Sequence, residues 1–592
     1  MRRTHPFLAG LLGLALALST LPAPAQTRAE PEAPGAPAPK PLVTAERQMI
    51  VAAHPAAAAA GWTMLRRGGS AADAAIAALL VLNVVEPQSS GIGGGAFALV
   101  HGPDGLTAWD ARETAPAGAR PDMFLGPDGA PLPFLEAVAS GHAVGVPGLV
   151  RLIEALHARH GRLGWAELFA PAIALARDGF PVSPRLAGSV ARYRDRLAAS
   201  PAAALFLPGG APLAEGAVLR NPALAATFAR LAAEGPGAFH AGPVAEAIVA
   251  AVQTGPRPGT LAPADLAGYA VKPRAAVCLD YRARFRVCGM GPPSSGATTV
   301  GQILGLLGNF ALDGLALDSP RLWHLFAEAS RLAYADRARY LADPDVVRVP
   351  VRGLLDPGYL AARARLIDPE RASGGVAQAG DPPWREGRLM APQPTADRSG
   401  TTHLSVIDGA GLAIALTASI ETAFGSGRLA AGFLLNNQLT DFAFRPAAAD
   451  GTPVANAAAP GKRPRSSMAP TIVYRLYTPG APETPETPHI LAGSPGGARI
   501  PEYVAGALVA MLDFAADPGA AAALFHISQR NRASLALEAG AAPPGLAEAL
   551  AALGHNVETA PMNSGLHLVR RRADGRLEGG ADPRREGVAL GD

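Results

Sequence analysis

Cysteine is nearly absent from this chain: of 592 residues only Cys278 and Cys288 carry a thiol. Neither sits in a CxxC pair or beside clustered histidines, which sets aside metal binding and dithiol redox catalysis. The stretch between them reads as two short strands around Tyr281 and Arg284, so the pair is either a cross-strand disulfide or two buried free thiols. Aromatic residues make up only 5%, and Lys plus Arg exceed Asp plus Glu by 52 − 49 = 3. With no basic stripe interleaved with aromatics, no nucleic-acid partner is expected. After the first 21 residues no run is long and apolar enough to cross a bilayer. What the chain does have is 49% hydrophobic residues, much of the rest small. That is enough for two to four ordinary domains or one large compact body.

The first 25 residues read as a secretory signal: Arg2 and Arg3, an apolar stretch over 7–21, and Ala23-Pro24-Ala25 as the small-residue cleavage site. Residues 26–41, rich in Pro, Ala and Glu, read as a disordered leader. The expected location is therefore periplasmic or secreted.

Residues 49–85 carry a small-residue helical pattern, followed by a glycine cluster and an alternating hairpin over 97–109 with its turn at Gly102-Pro103-Asp104-Gly105. Helices are expected through 149–274, at 152–160 and 244–253 among others, and a long one over 322–341. Residues 381–400 are polar and aperiodic, as an exposed loop should be. Strands are expected beyond it at 402–407, 412–419, 433–436, 471–473 and 489–492. Helices resume over 502–514 and 520–523, and a closing strand covers 565–570. Helices and strands on both sides of the loop imply one layered α/β body. Gly91-Ile92-Gly93-Gly94-Gly95-Ala96 has the form of a dinucleotide fingerprint, but helix precedes it and strand follows, the reverse of the required order. His157 and His160 share a helix face without a third ligand, so zinc is not expected. No cofactor is expected.

Chemistry concentrates after residue 400. Gly400-Thr401-Thr402-His403 opens a strand. A chain break at Gly400–Thr401 would make Thr401 an N-terminus whose amine can act as base for its own hydroxyl. Downstream lie Ser419 and Glu421, then Gln438 and Asp441, then Ser466 and Ser467, then Gly496 and Gly497, while upstream Arg112 stands at a strand end.

These blocks resemble the γ-glutamyltranspeptidase family, threonine members of the N-terminal nucleophile hydrolases. The likeness spans nearly the whole chain after the leader. It includes Gly68-Gly69-Ser70-Ala71-Ala72-Asp73, Asp110-Ala111-Arg112-Glu113-Thr114-Ala115-Pro116, Pro292-Pro293-Ser294-Ser295-Gly296, Tyr334-Ala335-Asp336-Arg337 and Asp343-Pro344-Asp345. The resemblance implies a four-layer αββα sandwich built from both pieces of a self-cleaved precursor, a large subunit over 42–400 and a small one over 401–592. Thr401 would be nucleophile and base, with Ser419 holding its hydroxyl and the N–H groups of Gly496 and Gly497 forming the oxyanion hole. Arg112, Ser466 and Ser467 would bind a substrate α-carboxylate, and Glu421, Gln438 and Asp441 its α-ammonium. The implied substrates are glutathione or other γ-glutamyl compounds, with water or an amino acid or peptide as acceptor.

Three departures stand out, one of them Ser419, which replaces a usual threonine and keeps the hydroxyl. Glu421 replaces a common asparagine, and the segment 442–460 is shorter than in typical bacterial members and lacks the tyrosine that caps their pocket, which implies a more open site. A glutaryl (cephalosporin) acylase, a γ-polyglutamate hydrolase and a secreted γ-glutamyl-binding protein that never matures are the competing readings.

Overall fold

The computed structural model describes residues 39–384, 390–393, 400–476 and 487–592. The expected signal segment, nearly all of the leader and much of the 381–400 stretch lie outside these. Among the described residues, no helix is long and apolar enough to cross a membrane.

Two seven-stranded sheets face each other. The first carries, in spatial order, Val588–Gly591, Met49–Ala52, Thr401–Ile407, Ala413–Ser419, Gly95–Gly102, Gly105–Ala111 and Lys272–Arg274. The second carries Val43–Ala45, Leu577–Ala581, His567–Arg571, Pro488–Ala492, Thr471–Arg475, Phe285–Gly289 and Val277–Tyr281. Side chains of a strand alternate between its faces. On Thr401–Ile407, Leu404 and Val406 therefore join the core under helices Pro55–Arg66 and Ala71–Val85, while Ile407 joins the core shared with the second sheet. That second core also holds residues of helices Gly296–Leu307, Pro320–Tyr340 and Ile500–Leu512, which cover the outer face of the second sheet. The result is the expected αββα order of layers.

Several expected elements shift. Met49–Ala52 is a strand, not the start of a helix. Its four apolar residues are inserted between Thr401–Ile407 and Val588–Gly591, and a fully buried strand has no alternation to distinguish it from a buried helix. His567–Arg571 does not close the fold: Leu577–Ala581 and Val588–Gly591 follow it, one in each sheet. Their glycine content hid them. The hairpin appears as Gly95–Gly102 and Gly105–Ala111, with Gly102 opposite Gly105. Cys278 and Cys288 face each other across two antiparallel strands and are joined as a disulfide.

The glycine cluster has a packing reason in place of a phosphate-binding one. A Cβ on Gly94 would stand 2.1 Å from the carbonyl oxygen of Ser419, and one on Gly93 would stand 2.1 Å from that of Leu434. Bare backbone lets this loop press against the two segments that carry Ser419 and Asn436.

Candidate active site

Thr401 is the first residue of its strand, directly opposite Ser419, the last residue of the neighbouring strand. It is buried, and the preceding Gly400 is buried too, so the Gly400–Thr401 bond is not at the exposed end of a loop as its sequence suggested. A Cβ at position 400 would come within 2.3 Å of the Glu421 carbonyl, and φ there is +156°. Only glycine fits that approach.

The Ser419 hydroxyl is fully engaged. It donates to the Gly400 carbonyl at 2.7 Å, accepts from Thr401 Oγ1 at 3.3 Å and accepts from the Glu421 N–H at 2.9 Å. One donor and two acceptor sites are all that a hydroxyl has. Ser419 thus touches both the hydroxyl that would attack and the carbonyl that would be attacked.

Thr401 and Ser419 open onto a cleft, partly open to solvent, whose walls include Arg112, Glu421, Gln438, Asp441, Ser466, Ser467 and Gly497. Almost every residue singled out from sequence meets here. Gly496 does not line the cleft itself but adjoins Gly497. The two take φ values of +135° and +59°, and a Cβ on Gly496 would lie 2.4 Å from the Tyr503 ring. Cys278 and Cys288 are elsewhere, on the last two strands at one end of the second sheet.

Arg112 is held rigidly. Its Nε donates to the Pro464 carbonyl at 3.1 Å, and its Nη2 donates to the Arg465 carbonyl at 3.1 Å and to Asp441 Oδ2 at 2.5 Å. Gln438 Nε2 also donates to Asp441 Oδ2, at 3.2 Å, while the buried Gln438 Oε1 has no hydrogen-bond partner among the described residues. Glu421 adopts φ +83°, an uncommon conformation for a non-glycine residue, and its Oε2 accepts from Asn437 Nδ2 at 3.3 Å. The Ser466 and Ser467 hydroxyls both accept from the protein, from the Met468 N–H at 3.1 Å and from Arg337 Nη2 at 2.6 Å. A hydroxyl that already accepts keeps its proton free to donate to an anion.

Arg337 is the clearest residue that sequence reasoning left without a role. It lines the cleft from the long helix, donating also to Ser295 Oγ at 2.8 Å. A buried arginine within a helix of mixed polarity gives no sequence signal of its own. Gln393 and Arg465 line the cleft as well.

Beside Arg112 lies Glu113, wholly buried, with neither carboxyl oxygen hydrogen-bonded among the described residues and Arg112 Nη1 3.8 Å away. Burial pushes its pKa up to about 8 against the opposing pull of Arg112. The distance alone would suggest an ion pair, but 3.8 Å is too long for a hydrogen bond and desolvation dominates. At neutral pH Glu113 is mostly a neutral acid, so it does not compete with a ligand for Arg112, whose charged partner in the cleft wall is Asp441. Above about pH 8 the carboxylate forms and competes for that charge. The ratio of wild-type to Glu113→Gln KM for a carboxylate-bearing substrate is expected to stay near one at pH 7 and to rise about threefold by pH 9. A flat ratio across that range would remove Glu113 from this role.

His403 is two residues from Thr401 but is no base for it. Its ring bonds Thr417 Oγ1 at 2.8 Å and Ser405 Oγ at 3.1 Å, and burial lowers its pKa to about 3. Gly493 makes room for the ring, since a Cβ there would come within 2.2 Å of it.

An αββα sandwich with a threonine opening a central strand, at the mouth of a polar cleft, defines an N-terminal nucleophile hydrolase. The model of the Gamma-glutamyltranspeptidase family matches residues 57–592. The chain is 35% identical over 556 residues to a glutathione hydrolase proenzyme of Bacillus subtilis (strain 168), covering 92% of this chain and 91% of that one. It is 35% identical over 514 residues to a glutathione hydrolase proenzyme of Escherichia coli (strain K12), covering 85% and 84%. Among solved structures, cephalosporin acylase from Bacillus halodurans superposes with a TM-score of 0.81 at 26% identity, over 95% of this chain and 99% of that one. The chain belongs to the γ-glutamyltranspeptidase family.

Proposed function

We propose that the chain is a self-processing γ-glutamyltransferase and glutathione hydrolase, working in the periplasm or outside the cell as a heterodimer of its two pieces. The observation that carries this reading is the Ser419 hydroxyl, in contact with both Thr401 Oγ1 and the Gly400 carbonyl at the edge of a charged cleft.

In the first reaction Thr401 Oγ1 attacks the Gly400 carbonyl carbon. The Oγ–C bond forms, the Gly400–Thr401 C–N bond breaks, and the nitrogen takes a proton and becomes the Thr401 α-amine. Ser419, donating to the attacked carbonyl oxygen, stabilises the negative charge that develops there. Water then hydrolyses the ester, leaving Gly400 as a carboxylate. In turnover the α-amine, whose ordinary pKa is roughly 7.7–8.0, takes the Thr401 hydroxyl proton as Oγ1 attacks a γ-glutamyl amide. The N–H groups of Gly496 and Gly497 receive the oxyanion, the leaving amine takes the proton, and a γ-glutamyl ester remains for water or an acceptor amine to open.

The cleft walls suit a zwitterionic amino-acid head group. Arg112 with the donor-ready Ser466 and Ser467 hydroxyls matches a carboxylate, and Asp441, Glu421 and the unpartnered Gln438 Oε1 match an ammonium. The test is to incubate the purified protein, sequence the N-terminus of the smaller fragment, and assay γ-glutamyl-p-nitroanilide with and without glycylglycine. A fragment beginning at Thr401 and turnover raised by glycylglycine are expected. A single uncut band of about 60 kDa with no turnover would support a non-maturing binding protein instead.

The likeness to a cephalosporin acylase favours a second reading, in which the acyl group is glutaryl. A glutaryl group lacks the amine that Glu421 and Asp441 are placed to meet. Glutaryl-p-nitroanilide is therefore expected to react at least about 100-fold more slowly in kcat/KM than the γ-glutamyl compound, since a site built to bond a polar substrate group rejects the analogue that lacks it. Equal rates would favour the acylase.

A further inference from the structure

Bonded to Thr401, and not among the residues that line the cleft, is a buried arginine that the mechanism above does not use. Arg585, in the turn before the last strand, is 3% exposed. Its Nη1 donates to the carbonyl of Thr401 at 3.3 Å, its Nε to the carbonyl of Ser564 at 3.1 Å and its Nη2 to the carbonyl of Asn563 at 3.4 Å. The segment it rests on is itself anchored. Ser564 Oγ donates to Asp582 Oδ2 at 2.6 Å, and the Gly565 N–H donates to Ser494 Oγ at 3.1 Å. A Cβ on Gly565 would meet Arg585 Cδ at 2.5 Å and Pro495 Cγ at 2.7 Å, so this glycine lets the arginine lie close to the segment leading into Gly496 and Gly497.

The neighbouring Arg584 serves the fold, pairing with Glu538 and Asp582. Arg585 instead bridges the residue that would attack and the Asn563–Ser564 segment, whose neighbour Gly565 lies close to Pro495. We propose that Arg585 is a positioning residue for the nucleophile: it fixes the Thr401 carbonyl and sets a permanent positive charge beside the α-amine that self-cleavage creates. This rests on Thr401 being that nucleophile.

The consequence is electrostatic. A guanidinium stays charged across the working pH range, and a like charge nearby disfavours protonation of an amine. The charged groups lining the cleft that Thr401 faces are the carboxylates of Glu421 and Asp441, which act in the opposite sense, and Arg112, Arg337 and Arg465, which act in the same sense. His403 and His567 pack beneath the strand, and burial keeps both neutral. Among these Arg585 is the cation bonded to Thr401 itself. A lowered amine pKa puts more of the base in its neutral form at mild pH, so the acid limb of the rate profile moves down.

The test uses full-length Arg585→Met and Arg585→Gln beside the parent, followed for self-cleavage, for circular dichroism and for kcat and KM on γ-glutamyl-p-nitroanilide from pH 5 to 10. In split Arg585→Met the acid-limb midpoint of kcat/KM is expected to rise by about one pH unit, with kcat lowered about tenfold and KM within about twofold. Arg585→Gln keeps a donor for the carbonyl without the charge. It should show the same midpoint shift with a smaller loss of kcat, and it carries the test if Arg585→Met does not split. A midpoint within about 0.2 unit of the parent in either split variant overturns the proposal. Variants that fold like the parent yet stay uncut would support it at the self-cleavage step, whereas loss of folding in both would make Arg585 a structural residue and overturn it. Turnover by a Thr401→Ala control would instead defeat the underlying assignment of the nucleophile, a result independent of any pH shift.

Discussion

Thr401→Ala should give one uncut chain of about 60 kDa with γ-glutamyl-p-nitroanilide turnover below about 10⁻⁴ of the parent. The prediction is steep because one oxygen serves twice. Without Oγ1 there is no attack on the Gly400 carbonyl, hence no free α-amine, hence neither nucleophile nor base for a substrate. The substitution is structurally mild, since the strand pairing opposite Ser419 is made by backbone. Thermal stability should therefore stay close to that of the uncut parent, and a folded but inert protein is the expected form of the failure. Thr401→Ser keeps the hydroxyl and should still split. Measurable turnover by folded Thr401→Ala would place the nucleophile elsewhere.

Arg112→Lys should mature normally and lose about 100-fold in kcat/KM, nearly all of it as a higher KM. Arg112 makes three hydrogen bonds to the protein from a planar fork, two of them to the carbonyls of Pro464 and Arg465 that precede Ser466. A lysine ammonium retains the charge facing Asp441 but cannot hold that carbonyl pair and a ligand carboxylate together. Lysine is preferred to alanine for the test because removing the charge would leave Asp441 beside an empty cavity and confuse folding with binding. Steady-state kinetics on the split variant separates the two parameters. A KM within threefold of the parent would mean that the substrate carboxylate is bound elsewhere, with Arg337 the next candidate from its place in the cleft wall.

What could be read from the sequence depended on whether the signal was local. The hairpin at 95–111 was legible because its turn and its alternation are both written in consecutive residues. The long helix Pro320–Tyr340 was legible for the same reason, within two residues at each end. Met49–Ala52 was misread because its partners are some 350 and 540 residues away, and burial on both faces erased its alternation. The residues that line the cleft were grouped by family resemblance, since residue-level reading alone gave scattered hydroxyls, acids and an arginine with ordinary structural explanations. Arg337 and Arg585 escaped for a different reason. What distinguishes each is the carbonyl or hydroxyl that the fold sets against its guanidinium, and no spacing in the chain encodes that partner.

The interleaving of the sheets bears on what scission does to the molecule. Strands from both sides of residue 400 pair directly within each sheet: Thr401–Ile407 pairs with Met49–Ala52, Ala413–Ser419 with Gly95–Gly102, and Thr471–Arg475 with Phe285–Gly289. Under the proposed cleavage the native contacts survive while the covalent route to them is gone. Refolding changes from a first-order to a second-order event, in which two fragments must meet and thread into each other's sheets. The cut is therefore a thermodynamic ratchet: harmless to the standing structure, but able to make one thermal unfolding final at low protein concentration.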